Sequence, residues 1–236
     1  MVATPIGNLE DITLRALRIL GEVDVVAAEG VEHTRKLFRR FEIRTRLTSY
    51  NQNNRKRKEP ELLERLRAGV SVALVTNAGT PGISDPGSLL VRRAWEEGIP
   101  VRAIPGPCAA AAALSASGLR SDGFLFAGFL SSRPGRRRKE LERLASETRT
   151  LVFYEAPHRI QAMLRDLCAV LGDRHGVVVR EMTKVYEETL RGTLGCLAER
   201  MNEDRARGEM VVLVEGAEEG PPADVSEDPE LRKRIE

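Results

Sequence analysis

The 236-residue sequence predicts an α/β protein of two domains, with a mainly parallel sheet in the first and a mixed sheet in the second. Apolar runs of strand length alternate with amphipathic stretches of helix length, which is typical of parallel sheets with helical crossovers. A further short run at 187–190 is interpreted as an added strand that can pair antiparallel. A stretch containing glycine and serine, 115–123, separates the two halves and predicts the domain boundary.

The first half has the pattern of a buried parallel sheet. Strands are predicted at 23–28, 70–75 and 101–104. Helices are predicted at 12–20, 34–41, 60–66 and 88–95. Only Met1 to Ala3 precede the first glycine/proline turn, so either a first strand is unusually short or the recorded start lies downstream of the true one. A sheet of this kind is expected to bind ligands beyond the carboxyl ends of its strands.

The second half has longer apolar runs. Strands are predicted at 124–129, 151–154, 177–179 and 210–214. Helices are predicted at 136–146, 157–171 and 193–206. We therefore predict an N-terminal domain at 1–117 and a C-terminal domain at 118–217. The remaining residues, 218–236, are polar with little to bury, and we expect them to be disordered.

The composition excludes several classes of protein. The chain is 42% hydrophobic and 31% charged, as in ordinary globular proteins, and no apolar run approaches the length of a membrane span. No signal peptide is recognisable, so a cytoplasmic protein is expected. The three cysteines and three histidines lack the spacing of a disulfide framework or a zinc site, so no metal is expected.

Basic side chains are concentrated in two segments, although the net charge is only +2. Ten Lys or Arg lie between 35 and 58 against the single acid Glu42, and a second basic run occupies 133–139. Such segments permit a polyanionic partner, but solvated helix faces explain them as well.

The segment 76–87 is the strongest candidate for a binding loop. It follows a predicted strand, precedes a predicted helix, and holds three glycines and two prolines in twelve residues. Ordinary strand-to-helix turns need about 2–6 residues, so this length favours a ligand-binding role. Ser84 or Asp85 is expected to cap the following helix, with Pro86 in its first turn. Two similar loops, 4–8 and 104–110, are predicted to meet it at one cleft.

Other nucleotide-binding motifs are missing. No Gly-x-Gly-x-x-Gly follows a strand and no P-loop is present, which disfavours dinucleotide dehydrogenases, Rossmann-type methyltransferases and P-loop NTPases. In the second half, charged residues follow two predicted strands, at 154–159 and 180–184. Helix capping and exposed charge explain each of them taken singly.

Taken together, these segments resemble the methyltransferase I family of small-subunit ribosomal RNA, within the tetrapyrrole methylase superfamily. The resemblance runs in family order through ATPIGNLEDIT at 3–13, AGTPGISDPG at 78–87, PGP at 105–107, LSASGL at 114–119, FAGFL at 126–130, YEAPHR at 154–159, REMTK at 180–184 and RGEMVV at 207–212. It implies S-adenosylmethionine as cofactor in a cleft between two α/β domains of the tetrapyrrole methylase (class III) type. It also implies a homodimer and methylation of the 2′-hydroxyl of a cytidine in 16S ribosomal RNA.

The resemblance, carried over by position, implies the cofactor contacts, whereas the candidates for catalysis and for RNA binding follow from the charged, polar and aromatic side chains of these segments. The residues expected to contact the cofactor are Pro5, Gly79, Thr80, Pro81, Ile83, Cys108, Ala109, Tyr154, Met182 and Met210. The catalytic candidates are Glu29, Glu155, Glu181 and Lys184, and the sequence does not select a base among them. The residues expected to contact RNA are Arg35, Tyr50, Asn54, Arg136, Arg137, Arg138 and Arg159.

Three segments depart from the family pattern. The usual acidic and histidine positions after the second strand and in the next loop are Gly30, Asn51 and Asn53 here, and the usual Asp before the glycine-rich loop is Asn77. These changes remove ionisable groups from the expected active edge. Two alternatives therefore stay open: a methyltransferase acting on a tetrapyrrole-like small molecule, and an RNA-binding homologue with weakened catalysis.

Overall fold

The computed structural model describes residues 1–201 and 205–218, so the predicted tail at 218–236 lies outside the described residues except for Glu218. In chain order the elements are α1 (Leu14–Glu22), β1 (Val25–Ala28), α2 (Val31–Arg40), β2 (Arg46–Ser49), α3 (Arg55–Arg67), β3 (Val72–Val75), α4 (Ser88–Glu96), α5 (Ala109–Ser117), β4 (Phe124–Phe129), α6 (Pro134–Glu142), β5 (Thr150–Glu155), α7 (Ile160–Leu171), β6 (His175–Arg180), β7 (Glu188–Thr193), α8 (Leu194–Arg200) and β8 (Met210–Val214). In the described ranges, no helix is both long enough and apolar enough to cross a bilayer.

The N-terminal sheet is parallel, as predicted. Its strand order is β2-β1-β3, and Val25 to Ala28 pair with both neighbours in register. All four residues of β1 are buried because helices cover both faces of the sheet. The carboxyl ends of the three strands therefore meet at one edge.

The first residues of the chain extend this sheet without forming a full strand. The backbone N–H of Val2 donates to the carbonyl of Leu74 (2.9 Å), and Val2 forms an isolated parallel bridge with Ile104. The strand predicted at 101–104 is reduced to that single bridge. Thr4 and Gly79 form a second, antiparallel bridge, which ties the first loop to the glycine-rich loop.

The C-terminal sheet is mixed, again as predicted. Its order is β4-β5-β8-β6-β7, with β4 and β5 parallel and the other pairs antiparallel. The predicted added strand is β7, at an edge. The last strand, β8, lies in the middle of the sheet and is buried throughout, so its amino end reaches the edge where β5 and β6 end.

Helix α5 packs on the C-terminal sheet, although the predicted N-terminal domain at 1–117 contains it. Ala110, Ala113 and Leu114 form one apolar cluster with Val152 and Val211, among other strand residues. The small alanine side chains allow this close helix-to-sheet packing. The boundary between 117 and 118 stays a prediction, and this packing favours one before Ala109.

Two details of the N-terminal domain differ from prediction. Helix α3 begins at Arg55, with Pro60 inside it, whereas the sequence was interpreted as a helix beginning at Pro60. The proline had been assigned to a first helical turn, but Leu62 and Leu63 bury the helix against the core and hold it despite the missing N–H. Strand β2 was not predicted, because only Leu47 in it is a large apolar residue.

Candidate active site

A cleft of about 370 Å³ lies where the strand ends of the two sheets face each other. The residues after β1 and β3 line it from one side, and the residues after β5 and β6 line it from the other. Loops can converge here because parallel strands end at the same edge, and β8 brings Glu209 and Met210 to the opposite wall. The volume is within the range of small-molecule sites.

The three glycine/proline loops converge on this cleft, which confirms their predicted meeting. Gly79 exchanges two backbone hydrogen bonds with Thr4 (2.9 and 3.0 Å), and the Thr80 hydroxyl donates to the carbonyl of Pro107 (3.0 Å). Gly79 has φ of 74°, and a Cβ there would lie 3.3 Å from Ile6 Cγ2. Glycine is therefore favoured at position 79 by the positive φ and by the close approach of Ile6.

Backbone strain is concentrated around the cleft. Four non-glycine residues of the described chain have positive φ, and Ser84 (61°), Glu181 (51°) and Thr183 (67°) lie in or beside the cleft wall. Such conformations cost about 1–3 kcal/mol each and persist where the surroundings impose them. Their grouping indicates a functional site.

Eight of the ten residues predicted to contact the cofactor line the cleft: Gly79, Thr80, Ile83, Cys108, Ala109, Tyr154, Met182 and Met210. Pro5 and Pro81 do not line the cleft, and their contact with the cofactor stays a prediction. Both are buried beside their loops rather than exposed to the cavity, where their fixed φ stiffens the backbone of neighbours that do line it.

The cleft carries a strongly negative set of side chains. Its lining includes the four predicted catalytic candidates, Glu29, Glu155, Glu181 and Lys184, together with the acids Asp85 and Glu209. Five carboxyl groups therefore face one ammonium group in the lining. This balance favours a cationic ligand.

Glu155 is the most enclosed of these acids, with 1% of its surface exposed. Its Oε1 accepts from the N–H of Ala156 (2.8 Å) and lies 3.2 Å from Arg159 Nε. Its buried Oε2 has no hydrogen-bond partner among the residues that the structure describes. Burial raises the pKa of Glu155, and the Ala156 N–H and Arg159 only partly offset that effect. A carboxylate of this kind is suited to accept a proton or a hydrogen bond from a ligand.

Asp85 was predicted as a helix cap, together with Ser84, and this prediction is wrong. Helix α4 begins at Ser88 after Gly87, without a side-chain cap, and Pro86 precedes the helix. Asp85 lines the cleft instead. Burial, reinforced by the charges of Glu29 and Glu209, raises its pKa to about 6 against an opposing hydrogen bond with Thr76.

Lys184 is held between two acids of the cleft wall. Its Nζ lies 2.8 Å from Glu181 Oε1 and 3.7 Å from Glu209 Oε2, and the hydrogen bond with Glu181 raises the pKa of Lys184. The same segment closes on the first loop, because the N–H of Asn8 donates to Thr183 Oγ1 (3.0 Å). The strained segment 181–184 thus joins the two sides of the cleft.

The departures from the family pattern surround Glu29. The N–H of Asn77 donates to Glu29 Oε2 (3.1 Å), and Asn51 Nδ2 lies 3.5 Å from the carbonyl oxygen of Glu29. A Cβ at Gly30 would lie 2.2 Å from Asn77 Oδ1, so glycine at 30 and the observed placement of Asn77 fit together. Asn53 donates its N–H to Asn51 Oδ1. Asn51, Asn53 and Asn77 are therefore connected by hydrogen bonds through Glu29, and Gly30 leaves room for Asn77.

Two residues predicted to contact RNA are buried, and their prediction is wrong. Tyr50 is 1% exposed, packs with Leu62 and Leu74, and donates its hydroxyl to Glu59 (2.9 Å), so its ring cannot stack on a base. Arg137 is 3% exposed and bonds Asp166 through Nε (2.8 Å) and a terminal nitrogen (2.6 Å).

Two further RNA candidates have structural contacts. Arg159 donates to the carbonyl of Leu130 (2.7 Å) and lies 3.2 Å from Glu155, contacts that suit a role in positioning that acid, while its contact with RNA stays a prediction. Asn54 donates to Ser49 and accepts from the N–H of Asn51, which orders the loop before α3. The sequence could not separate these roles from RNA contacts because it shows charge but not burial.

Arg35, Arg136 and Arg138 remain exposed, and their contact with RNA stays a prediction. Arg35 pairs with Glu32, and Arg138 lies 2.8 Å from Asp166. In the described part of the chain, Arg136 has no ion-pair partner. A groove beside α2 and β2 is lined by Arg35, Arg39 and Arg44 with the single acid Glu42.

The buried pair of Arg137 with Asp166 gives a stability prediction. Burial acts to raise the pKa of Asp166, but the hydrogen bonds from Arg138 and Arg137 outweigh it and lower that pKa. Arg137→Ala is expected to lower the free energy of unfolding by about 3–5 kcal/mol, because it removes both contacts to Oδ2 of a buried carboxylate and leaves Arg138 on Oδ1 alone. Urea denaturation measures this loss. The matched control is Arg136→Ala on the same helix, expected to change stability by less than about 0.5 kcal/mol; equal losses would contradict the assignment.

The sequence reasoning missed three charged or aromatic residues of the cleft lining as site residues. Asp85 lies in the loop that the sequence singled out, so its proximity was detectable. Glu209 precedes β8, and only the central antiparallel position of that strand brings it to the cleft. Phe129 reaches the cleft through a β-bulge, and no sequence signal indicated the change of face.

Comparisons with known proteins agree with this architecture. Residues 1–198 match the family of Tetrapyrrole (Corrin/Porphyrin) Methylases. A protein of Halalkalibacterium halodurans called ribosomal RNA small subunit methyltransferase I is 48% identical over 92% of this chain and 75% of its own length. The proteins of the same name from Escherichia coli O157:H7 (48%, covering 95% and 80%) and Bacillus subtilis (45%, covering 92% and 74%) are similarly related.

Solved structures share the fold at low sequence identity. Cobalt precorrin-4 methyltransferase superposes with a TM-score of 0.69 at 19% identity, covering 91% of this chain and 93% of that one. Uroporphyrin-III C-methyltransferase of Thermus thermophilus, in complex with S-adenyl homocysteine, gives 0.62 at 23% identity, covering 90% and 94%. Diphthine synthase gives 0.67 at 18% identity, covering 91% and 88%.

Proposed function

The chain belongs to the tetrapyrrole methylase family, and from that premise we propose that it transfers the methyl group of S-adenosylmethionine to the 2′-hydroxyl of a cytidine in 16S ribosomal RNA. The observation that carries the proposal is the cleft itself, in which three stiff loops and five carboxyl groups converge on one cavity. Relatives that are 45–48% identical and called ribosomal RNA small subunit methyltransferase I support the choice of substrate.

The cleft fits a sulfonium cofactor in its charge and its lining. Its acids outnumber its cations by five to one, and the buried Oε2 of Glu155 lacks a partner. The residues that would hold the cofactor are Gly79, Thr80, Ile83, Cys108, Ala109, Tyr154, Met182 and Met210. When bound, the cofactor supplies a methyl group activated for direct displacement.

The residues of the chain then have two tasks, alignment and proton acceptance. The three hydrogen-bonded glycine/proline loops would hold the cofactor and the ribose hydroxyl in line. Such alignment can lower the activation barrier of methyl transfer by at most about 7–11 kcal/mol. A ribose hydroxyl loses its proton as the new bond to carbon forms, and an acceptor contributes about 10²–10⁴-fold. We assign the acceptor to Glu155, because burial raises its pKa and one oxygen lacks a partner. Arg159 positions this carboxylate.

Asp85 makes a pH-dependent contribution that can be predicted with its sign. Folding raises the pKa of Asp85 from 3.8 to about 6, so the folded state holds the proton more tightly and stability falls as pH rises between those values. The ionised form adds negative charge to a cleft that also contains Glu29, Glu209 and Lys184. A cationic ligand therefore gains affinity as pH rises through about 6.

The predicted pH dependence of cation affinity can be tested by calorimetric titration with two ligands. S-adenosylmethionine carries a positive sulfur, and S-adenosylhomocysteine carries a neutral one. The ratio of the two affinities is expected to rise between pH 5 and pH 7, and Asp85→Asn is expected to flatten the rise. An unchanged pH profile in Asp85→Asn would assign the effect to another acid.

We also propose that the protein is a homodimer, as the family resemblance implies. Val185 and Tyr186 support this, because both apolar side chains are largely exposed beside the cleft segment 181–184. Light scattering should give twice the 26.1 kDa of the chain. We propose the cytoplasm as the location of the reaction, because the proposed substrate is ribosomal RNA.

The test of function uses small ribosomal subunits from a strain that lacks the corresponding methylase. The purified chain with labelled S-adenosylmethionine is expected to label 16S RNA, and nuclease digestion should yield 2′-O-methylcytidine. Labelling of a tetrapyrrole instead of RNA would favour the small-molecule alternative. RNA binding without cofactor affinity would favour the homologue with lost catalysis.

A further inference from the structure

Phe129 is an exposed aromatic residue in the cleft wall. It ends the edge strand β4, lines the cleft and is 56% exposed, although large apolar side chains of this sheet are mostly buried. Exposing an aromatic ring to water costs free energy in proportion to its area. The exposure of this ring in the cleft wall therefore favours a role in contacting a ligand.

A β-bulge turns Phe129 toward the cleft. Phe126 pairs with Val152, but Gly128 pairs with Phe153 and Phe129 with Tyr154, so the register shifts by one residue. Leu125 and Ala127 pack in the core on the other face, where Phe129 would also point in a regular strand. Bulges re-aim side chains in this way near active sites.

The bulge is built around Gly128, which has φ of 64°. A Cβ at this position would lie 2.9 Å from Ser84 Oγ, so the glycine also allows the loop containing Ile83 to approach. Ile83 lines the same cleft and is 41% exposed. The two exposed apolar side chains thus lie on adjacent segments from opposite sides of the cleft.

Aromatic contacts hold the Phe129 ring in place. Its centroid lies 5.6 Å from that of Tyr154 at an interplanar angle of 63°, and Tyr154 makes a similar contact with Phe126 (4.9 Å, 70°). The Tyr154 hydroxyl in turn accepts from the N–H of Ala110 (3.1 Å). Despite these contacts the Phe129 side chain keeps more than half of its surface exposed, which is area available for stacking.

We propose that Phe129, with Ile83 opposite, forms a stacking site for the unpaired nucleobase whose ribose is methylated. This inference rests on the proposed function. Sequence-specific RNA enzymes commonly hold a splayed-out base against aromatic and apolar side chains. A base carried by a polymer must enter from outside, and Phe129 and Ile83 are the exposed large apolar residues of the cleft lining, whereas Met210 and Val211 are buried.

The test compares three variants of the full chain. Phe129→Ala is expected to raise the KM for small subunits by about tenfold or more, because stacking a base on an aromatic ring is lost. Its kcat should fall less, and its affinity for S-adenosylhomocysteine should stay within about twofold. Phe129→Tyr should restore KM, because the face of the ring is kept.

The matched control is Phe124→Ala. Phe124 lies on the same strand and is 43% exposed, but it is roughly 15 Å away along the strand and does not line the cleft. It should leave KM unchanged. A similar rise in KM for Phe124→Ala, an unchanged KM in Phe129→Ala, or a loss of S-adenosylhomocysteine affinity in Phe129→Ala would each overturn the proposal.

The methylation proposal and the base-stacking proposal can fail independently, and two assays distinguish the cases. If the wild-type chain methylates no RNA, the function fails, and fluorescence anisotropy with a short single-stranded RNA still tests the site. Weaker binding by Phe129→Ala than by Phe124→Ala would sustain a base-stacking site, and equal binding would overturn it.

Discussion

Replacing Thr80 by tryptophan is expected to abolish cofactor binding while the fold stays intact. Thr80 lines the cleft and its hydroxyl bonds the carbonyl of Pro107, so a large ring at this position would fill space that the cofactor needs. We expect the affinity for S-adenosylhomocysteine to fall at least about 100-fold, which corresponds to about 2.8 kcal/mol. Isothermal titration calorimetry measures it directly.

The control for size is Thr80→Ser, which keeps the hydroxyl that donates to Pro107. It should bind the cofactor within a few-fold of wild type, and both variants should keep the wild-type circular dichroism spectrum. If the folded Thr80→Trp variant bound as tightly as wild type, the cofactor would have to lie outside this cleft.

Replacing Glu155 by glutamine is expected to lower kcat by about 10²–10⁴-fold with little change in cofactor affinity. The substitution preserves the shape of the side chain but removes the negative charge that would accept the ribose proton. Wild-type kcat should also fall at low pH, because burial raises the pKa of Glu155 and protonation removes the acceptor. Single-turnover methyl transfer to small subunits measures both effects.

Glu29→Gln is the comparison for this prediction, because Glu29 lines the same cleft and also accepts a backbone N–H, from Asn77, but is only partly buried. It should lower kcat less than Glu155→Gln does. A larger loss in Glu29→Gln would move the acceptor role to Glu29, and a normal kcat in Glu155→Gln would indicate that alignment alone supports the reaction.

Much of the fold could be predicted because its strands are continuous apolar runs. The residues of β1, β3 and β8 could be assigned to strands without tertiary information, since such parallel and central strands are buried on both faces. Strand β4 lies at an edge, but its residues still form a continuous apolar run. The position of β8 between β5 and β6 could not be predicted, because strand order is decided by packing between distant segments. The start of α3 was misplaced because Pro60 resembles a first-turn proline.

The sequence predicted the parts of the candidate site that are built from glycine/proline loops. It failed for residues whose role depends on whether the side chain is buried. The loop at 76–87 is recognisable from its glycines and prolines. Its meeting with the loops at 4–8 and 104–110 could therefore be predicted. Tyr50 and Arg137 were misassigned because their residue types suit RNA contacts, while their surroundings bury them. Phe129 was missed because a one-residue bulge reverses the face of a strand, and alternation alone predicts the opposite face.

A crystal structure of the chain with S-adenosylhomocysteine would test the central claim most directly. We expect density for the ligand between the loop at 76–87 and the side chains of Tyr154, Met182 and Met210, with its sulfur facing the carboxylates of the cleft. Density at another surface, or a cleft filled by rearranged side chains while the ligand binds elsewhere, would contradict the account.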